Sequence, residues 1–257
     1  MHASPVIPVS VLYGFLLVLA RISGIFIFLP LPGLKAGPDV GKIVLAMALT
    51  FALYSRWPVI DPVPASMIQV AGWMLAEAAI GLAIGLAVAF IIEAVLMAAQ
   101  AVSTQAGFAY ASTVDPNTEA DVTVLLMIAQ LTAGLLFFSM GLHRQLLGIL
   151  AHSLETRPPG TFQASQPSIE ALVMLGSGIF STGLRLVLPL ITLLFLIDLS
   201  IGLLGRLNSQ LQLIALAFPL KIVTALAALS FLALLLPKLF SQSAAIAFRA
   251  VEKLLGF

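Results

Sequence analysis

Two apolar runs in this sequence are about twice as long as a membrane-spanning helix needs to be. The first covers about residues 65–105 and the second about 169–205. A helix of about 40 residues extends about 60 Å, whereas the hydrocarbon core of a bilayer is about 30 Å thick. Each run must therefore bend back or project out of the bilayer, which departs from a simple bundle of spans about 20 residues long.

The composition indicates an integral membrane protein. Hydrophobic residues make up 61% of the chain, charged residues only 9%, and the mean hydropathy is +1.13; a soluble domain carries about 25% charged residues. The net charge of +1 gives no electrostatic footprint for nucleic acid. Cysteine is absent, which excludes disulfides and thiolate ligands. Because no basic residue precedes the first apolar run, we expect an uncleaved first membrane segment.

The remaining apolar segments predict an all-α fold of membrane-type helical hairpins with long, kinked helices. Pro237 should end the last long run, and RPPG at 157–160 should open a loop. The further helices are expected at about 9–30, 43–57, 120–150 and 211–236.

The C-terminal tail after Pro237 has the spacing of an amphipathic helix. We expect this helix to lie at a membrane interface or against a partner. Its apolar face consists of Phe240, Ala244, Ala247, Phe248, Val251, Leu254 and Leu255.

Charged residues inside the apolar runs are the first candidate functional residues. Each costs about 2.5–3.5 kcal/mol in the centre of a membrane helix if it stays unpaired. The acidic and basic ones are equal in number, so mutual pairing could offset much of this cost. They are either a proton or ion relay or, more simply, structural pairs. The set comprises Arg21, Glu77, Glu93, Arg185, Asp198 and Lys221, to which Arg206 is added at the end of the second long run.

Other motifs point to helix packing and away from catalysis. Gly81 and Gly85, which follow the acidic residue Glu77, form a small-xxx-small pattern that lets helix backbones approach closely. The chain has three histidines but no HExxH, no GxSxG and no metal-ligand spacing. No glycine-rich loop follows a strand, so no phosphate site is indicated. We therefore predict no enzymatic activity, no metal and no cofactor.

Short motifs occur in a fixed order between about residues 20 and 225. They are ARISGIFIFLPLPG at 20–33, PDVGK at 38–42, EAAIGLAIG at 77–85, QAG at 105–107 with VDP at 114–116, and DLSIGLLGR at 198–206 with FPLK at 218–221. Together they resemble the family of the flagellar biosynthetic protein FliR and its counterparts in virulence-type injectisomes. Each motif is short, and their order makes the resemblance specific.

The resemblance implies a subunit of the type III export gate in the bacterial inner membrane, at the flagellar basal body. Members of this family assemble with FliP and FliQ into a pore for unfolded flagellar proteins, with FlhB and FlhA as further partners and membrane lipid around them. Residues about 1–165 would be a FliP-like helical part. Residues about 166–257 would be a FliQ-like hairpin with a C-terminal amphipathic helix, all within one multi-pass subunit.

A loop with small residues interrupts the apolar sequence after the first long run. The resemblance implies that it projects into the pore as a plug, and a hydrophobic constriction can block ions by dewetting. Phe108 and Tyr110 would supply bulk, and Asp115 and Pro116 would end the loop as a turn. From the residues alone, an ordinary surface turn is the alternative. The predicted plug consists of Gly107, Phe108, Ala109, Tyr110, Ala111, Ser112, Thr113, Asp115 and Pro116.

Two other functions remain open at this point. The chain could be the equivalent subunit of an injectisome, because the gates share their architecture. It could also be a secondary transporter or channel that uses the embedded charges for coupling. A transporter would need paired halves with matching broken helices, and Pro189 and Pro219 in the second half have no matching pair in the first.

Overall fold

The computed structural model describes residues 8–29, 39–58, 60, 66–107, 124–160, 166–207 and 213–256. Within these ranges the regular structure is helical and no β-strand occurs, which confirms the predicted fold class. A 3₁₀ turn covers Tyr54–Arg56. The α-helices are α1 Val9–Phe28, α2 Val40–Ala52, α3 Met67–Ala106, α4 Val124–Ser139, α5 Leu142–Thr156, α6 Gln166–Leu207 and α7 Leu213–Leu255.

The two overlong runs form single helices, α3 with 40 residues and α6 with 42 residues and Pro189 inside it. Helix α7 is also long, with 43 residues. The prediction that Pro237 ends the last long run is wrong, because α7 continues through Pro219 and Pro237. A proline removes one backbone hydrogen bond and kinks a helix, but apolar helices tolerate it where the freed groups are satisfied locally.

The helix predicted at about 120–150 is divided into two. Helix α4 ends at Ser139 and α5 begins at Leu142, with a bend of 62° between them. Gly141 lies between them with φ +71°, a backbone conformation that glycine adopts without steric cost. Hydrophobic periodicity alone did not reveal this break, because it does not show where the backbone leaves the helical conformation.

Helix α2 begins earlier than predicted because Asp39 caps its N-terminus. The Asp39 carboxylate accepts a hydrogen bond from the Gly41 amide at 3.2 Å. The helix ends at Ala52, so the predicted segment at 43–57 contains a shorter helix and the 3₁₀ turn.

The predicted apolar face of the tail is confirmed, but it is covered by this chain itself. All seven residues of that face are buried: Phe240, Ala244, Ala247, Phe248, Val251, Leu254 and Leu255. The expectation that this face meets a membrane interface or a partner is therefore wrong.

The lengths and apolar character of the helices fit a membrane-embedded protein. The bent pair α4 and α5 adds a fifth candidate span if it counts as one. Among the described residues, the other candidate spans are Val9–Phe28, Met67–Ala106, Val187–Arg206 and Pro219–Leu255.

The chain packs as two compact units, each built from separate stretches. One contains residues 1–90, 137–176 and 244–257, and the other contains 91–136 and 177–243. The core of the second unit includes Ala98, Val102, Ala106, Val187, Leu190, Leu194 and Ala225. The predicted division into FliP-like and FliQ-like parts rests on resemblance to those proteins, and the packing of this chain does not test it. It stays a prediction.

In the first unit, α1 and α3 cross with their backbones close together. A methyl group added to Gly85 would lie 2.7 Å from the Ile25 carbonyl oxygen, and one added to Gly24 would lie 2.6 Å from the Ala78 carbonyl oxygen. A methyl group on Gly81 would collide with the Arg21 carbonyl oxygen. The small-xxx-small pattern is therefore a packing surface, as the sequence predicted.

Replacing Gly81 by Ala should force the two helices apart. We expect a loss of about 1–3 kcal/mol in stability, the usual cost of overpacking. Gly72→Ala is the matched control, because Gly72 lies in the same helix with open space around it. That control should gain up to about 1 kcal/mol from helix propensity. Heat resistance of the detergent-solubilised protein measures both variants, and equal behaviour would contradict the close crossing.

Candidate functional site: embedded charges and helix ends

Arg21 and Glu77 form a fully buried ion pair between α1 and α3. The Arg21 Nε lies 2.6 Å and its Nη2 2.5 Å from the same carboxylate oxygen, Glu77 Oε2. Both side chains have 0% of their surface exposed. A buried charge is tolerated when its partner and further hydrogen bonds satisfy it.

The remaining polar atoms of this pair are satisfied by the last turn of α5 and the segment that follows it. Arg21 Nη1 donates to the Ser153 carbonyl at 2.8 Å and to the Ser153 hydroxyl at 3.1 Å, and Nη2 donates to the Arg157 carbonyl at 2.9 Å. Glu77 Oε1 accepts from the Gly160 amide at 3.0 Å. Both charges are therefore held by several helices at once.

Arg157 extends this network to the end of α7. Its Nε donates to the Leu255 carbonyl at 3.0 Å, while its own carbonyl accepts from Arg21. The guanidinium groups of Arg21 and Arg157 thus each reach carbonyls at a helix C-terminus. The network joins α1, α3, α5 and α7 within the first unit.

A second cluster of charges lies in the other unit. Lys221 Nζ lies 2.5 Å from Asp198 Oδ1. The Gln105 side-chain amide donates to Asp198 Oδ2 at 3.1 Å, and Lys221 Nζ donates to the Gln105 carbonyl at 3.4 Å. The exposed fractions of the side chains are 15% for Lys221 and 37% for Asp198, so this cluster is only partly buried.

The described residues show no pairing of the other embedded charges. Glu93 and Arg206 are exposed, and in the described ranges no ion pair includes either of them. The Arg185 side chain lies outside the described part. The structural role of these three residues stays a prediction.

Of the predicted plug, only Gly107 lies among the described residues. It follows the last residue of α3 with φ +88°, and its amide donates to the Thr104 carbonyl at 3.3 Å. The other predicted plug residues, from Phe108 to Pro116, lie outside the described ranges. Their role stays a prediction.

Two further polar side chains at helix ends were missed by sequence reasoning. Lys42 is buried and donates from Nζ to the Ile27 carbonyl at the end of α1, at 3.4 Å. Burial lowers the pKa of the Lys42 ammonium, and the negative charge of Asp39 opposes this shift. Trp57 Nε1 donates to the Thr50 carbonyl in the last turn of α2, at 2.9 Å.

These contacts meet a requirement of helix ends. The last four carbonyls of a helix lack intrahelical partners, and apolar surroundings offer no water to satisfy them. A Lys or Trp close to a helix end in an apolar sequence therefore indicates a side chain that donates to a helix C-terminal carbonyl. Which carbonyl it reaches depends on the tertiary fold.

The arrangement is suited to holding helices together. In the described ranges, no group of three or more His, Cys, Asp or Glu residues could bind a metal ion. Both oxygens of the Glu77 carboxylate accept hydrogen bonds from groups of the same chain.

Comparison with known proteins identifies the family. Residues 12–246 match the model of bacterial export proteins, family 1. The chain belongs to this family. It is 33% identical over 219 residues to the flagellar biosynthetic protein FliR of Escherichia coli (strain K12), covering 85% of this chain and 82% of that protein.

Two further relatives carry the same name. The FliR protein of Pectobacterium carotovorum subsp. carotovorum is 31% identical over 198 residues, covering 76% of this chain and 75% of that protein. The FliR protein of Bacillus subtilis (strain 168) is 31% identical over 214 residues, covering 81% of this chain and 82% of that protein. The family resemblance seen in the sequence motifs is thereby confirmed.

Breaking the buried pair should destabilise the protein strongly. We expect Glu77→Leu or Arg21→Met to cost about 3–5 kcal/mol, because each leaves one buried charge without its partner. The double variant should cost less than the sum of the two single variants. The measurement is the steady-state amount of tagged chain in membranes, together with its heat resistance in detergent.

Glu93→Leu is the control for burial in this experiment. Glu93 is an acid on the same helix as Glu77, but its side chain is exposed. Glu93→Leu should therefore lower the stability of the protein less than Glu77→Leu does. Equal losses would show that burial within this chain does not determine the cost, and strict additivity in the double variant would contradict the pairing.

Proposed function

We propose that this chain is a core subunit of the flagellar type III protein export gate. It forms, with FliP and FliQ, the pore for unfolded flagellar proteins in the bacterial inner membrane, at the flagellar basal body. The observation that carries the proposal is the similarity, over most of the chain, to flagellar biosynthetic proteins of the same export family. The flagellar names of these relatives favour a flagellum over an injectisome, and the export family disfavours a secondary transporter.

The exposed surface supports a subunit that is completed by partners and lipid. In the most apolar 18-residue stretches of the candidate spans in α6 and α7, only 17% and 6% of the residues are buried. Such surfaces are unfavourable in water and mark membrane or protein contacts. Exposed large apolar residues on these helices include Leu188, Phe195, Leu203, Val223, Phe231 and Leu234.

Helix α2 supports contact with other proteins in particular. It directs Lys42 and Thr50 inward, where both are buried. At 13 residues it extends about 20 Å, too short to cross the hydrocarbon core of a bilayer. Its large apolar residues mostly face outward, and the exposed ones are Val40, Ile43, Val44, Leu45, Met47 and Phe51.

The proposed role is conduction without catalysis. The subunit contributes walls and a closure to a pore, FlhB and FlhA act as further partners, and energy comes from elsewhere in the machine. Helices pinned by ion pairs suit this role, because a pore for unfolded chains needs rigid walls around a movable obstruction.

We further propose that the segment after α3 is the movable obstruction that closes the pore. It follows Gly107, and its predicted members are small apart from Phe108 and Tyr110. A narrow apolar constriction excludes ions by dewetting. Small side chains suit a segment that must give way to a polypeptide.

Expression with partners tests the proposed assembly. Made alone, the chain should aggregate or be degraded, because its large apolar surface is uncovered. Co-expression with FliP and FliQ should restore a monodisperse complex that contains all three proteins. A FliR relative from Escherichia coli made in parallel is the positive control. A folded, monodisperse monomer in mild detergent would contradict the proposal.

Replacing Phe108 and Tyr110 by Ala tests the plug. We expect normal abundance of the gate but greater leakage of ions and small solutes, because a wider constriction becomes wet. Ion leakage in cells that make the whole gate is the measurement. Asp115→Ala should instead lower assembly by disturbing the turn. Equal leakage of the double-Ala and intact chains at equal abundance would make this segment an ordinary surface turn.

A further inference from the structure

The cluster of Gln105, Asp198 and Lys221 holds the last turn of α3 from two directions. Lys221 donates to the main-chain carbonyl of Gln105, and Asp198 accepts from the side-chain amide of the same residue. One residue is thus bound through both its backbone and its side chain by groups on α6 and α7. Helix α3 ends at Ala106, directly after it.

The electrostatics of this contact match the helix end. The C-terminus of a helix carries a partial negative charge and carbonyls without intrahelical partners. The Lys221 ammonium supplies a hydrogen-bond donor and a positive charge there. Asp198, at 2.5 Å from that ammonium, balances its charge and leaves a second oxygen for Gln105.

Apolar packing next to the cluster fixes the distance between helices but not their rotation. Ala106, Leu194 and Ala225 are fully buried in one core. Leu194 lies one turn before Asp198, and Ala225 one turn after Lys221, on the same helix faces. Hydrophobic contact is non-directional, whereas two hydrogen bonds to one residue, one to its backbone and one to its side chain, define its orientation.

We propose that Asp198 and Lys221 are positioning residues for the end of α3. They set the axial and rotational position of its last turn, and therefore the point and direction in which the chain leaves the helix at Gly107. The consequence for leakage rests on the proposed plug function, whereas the effect on the helix end does not. The cluster thus differs from the buried pair of Arg21 and Glu77, which joins helices in the other unit.

Exchanging the two charges separates positioning from pairing. In Asp198→Lys/Lys221→Asp the ion pair is retained, so gate abundance should stay near that of the unchanged chain. An Asp at 221 cannot donate to the Gln105 carbonyl, and a Lys at 198 cannot accept from the Gln105 amide. Hydrogen exchange at the backbone amides of residues 103–107 should become at least about tenfold faster, because both hydrogen bonds between Gln105 and these charged side chains are lost.

Two further variants make the result decisive. Gln105→Met removes only the contact with Asp198 and should accelerate exchange by about threefold. The charge exchange Arg56→Glu/Glu155→Arg is the matched control, since that ion pair is exposed and lies far along the chain from the cluster. It should leave exchange at 103–107 unchanged. If the Asp198/Lys221 exchange variant does not accumulate, Gln105→Met decides.

The outcomes distinguish this inference from the plug. Unchanged exchange at 103–107 in both cluster variants overturns the inference. Accelerated exchange with increased ion leakage supports it. If the double-Ala variant at Phe108 and Tyr110 leaks but the charge exchange does not, the cluster does not position the departing segment. If the double-Ala variant does not leak, the plug fails and the hydrogen-exchange result alone decides the inference.

Discussion

A single buried ion pair determines how the first unit of this protein is held together. Arg21 and Glu77 have no exposed surface, and an ionised group in such surroundings requires a partner for every strong donor and acceptor. The carbonyls of Ser153 and Arg157 and the amide of Gly160 meet that requirement. Helices α1 and α3, the end of α5 and the segment after it must therefore adopt one mutual arrangement, since any other leaves a charge unsatisfied.

The same physical requirement recurs at the ends of the helices. The C-terminal carbonyls of α1, α3, α5 and α7 each accept from a Lys or Arg elsewhere in the chain, and those of α2 accept from the Trp57 indole. In an apolar environment these carbonyls have no water to bind. A chain with only 9% charged residues thus places several of its cations where helix dipoles are negative.

Sequence reasoning predicted the features that depend on local periodicity. The length of α3, the apolar face of the tail and the close crossing at Gly81 follow from spacing along one helix. The break at Gly141 and the continuation of α7 through Pro237 were not predicted. Both depend on the local backbone conformation, which the hydrophobic pattern does not determine. Opposite charges predicted that pairs form, but their partners are 56 residues apart for Arg21 and Glu77, and only the tertiary fold selects them.

The hydrogen bonds of Arg21 also impose an order on folding during synthesis of the chain. Its partner Glu77 emerges 56 residues later, but the carbonyls of Ser153 and Arg157 follow only 132 and 136 residues after it. Chains grow at about 5–20 residues per second, so the first helix waits on the order of ten seconds for its complete set of acceptors. The Leu255 carbonyl, which Arg157 binds, arrives 98 residues later still. Helix α1 therefore reaches its final hydrogen bonding only after Arg157 has been synthesised, and the whole network closes only after Leu255 has been synthesised.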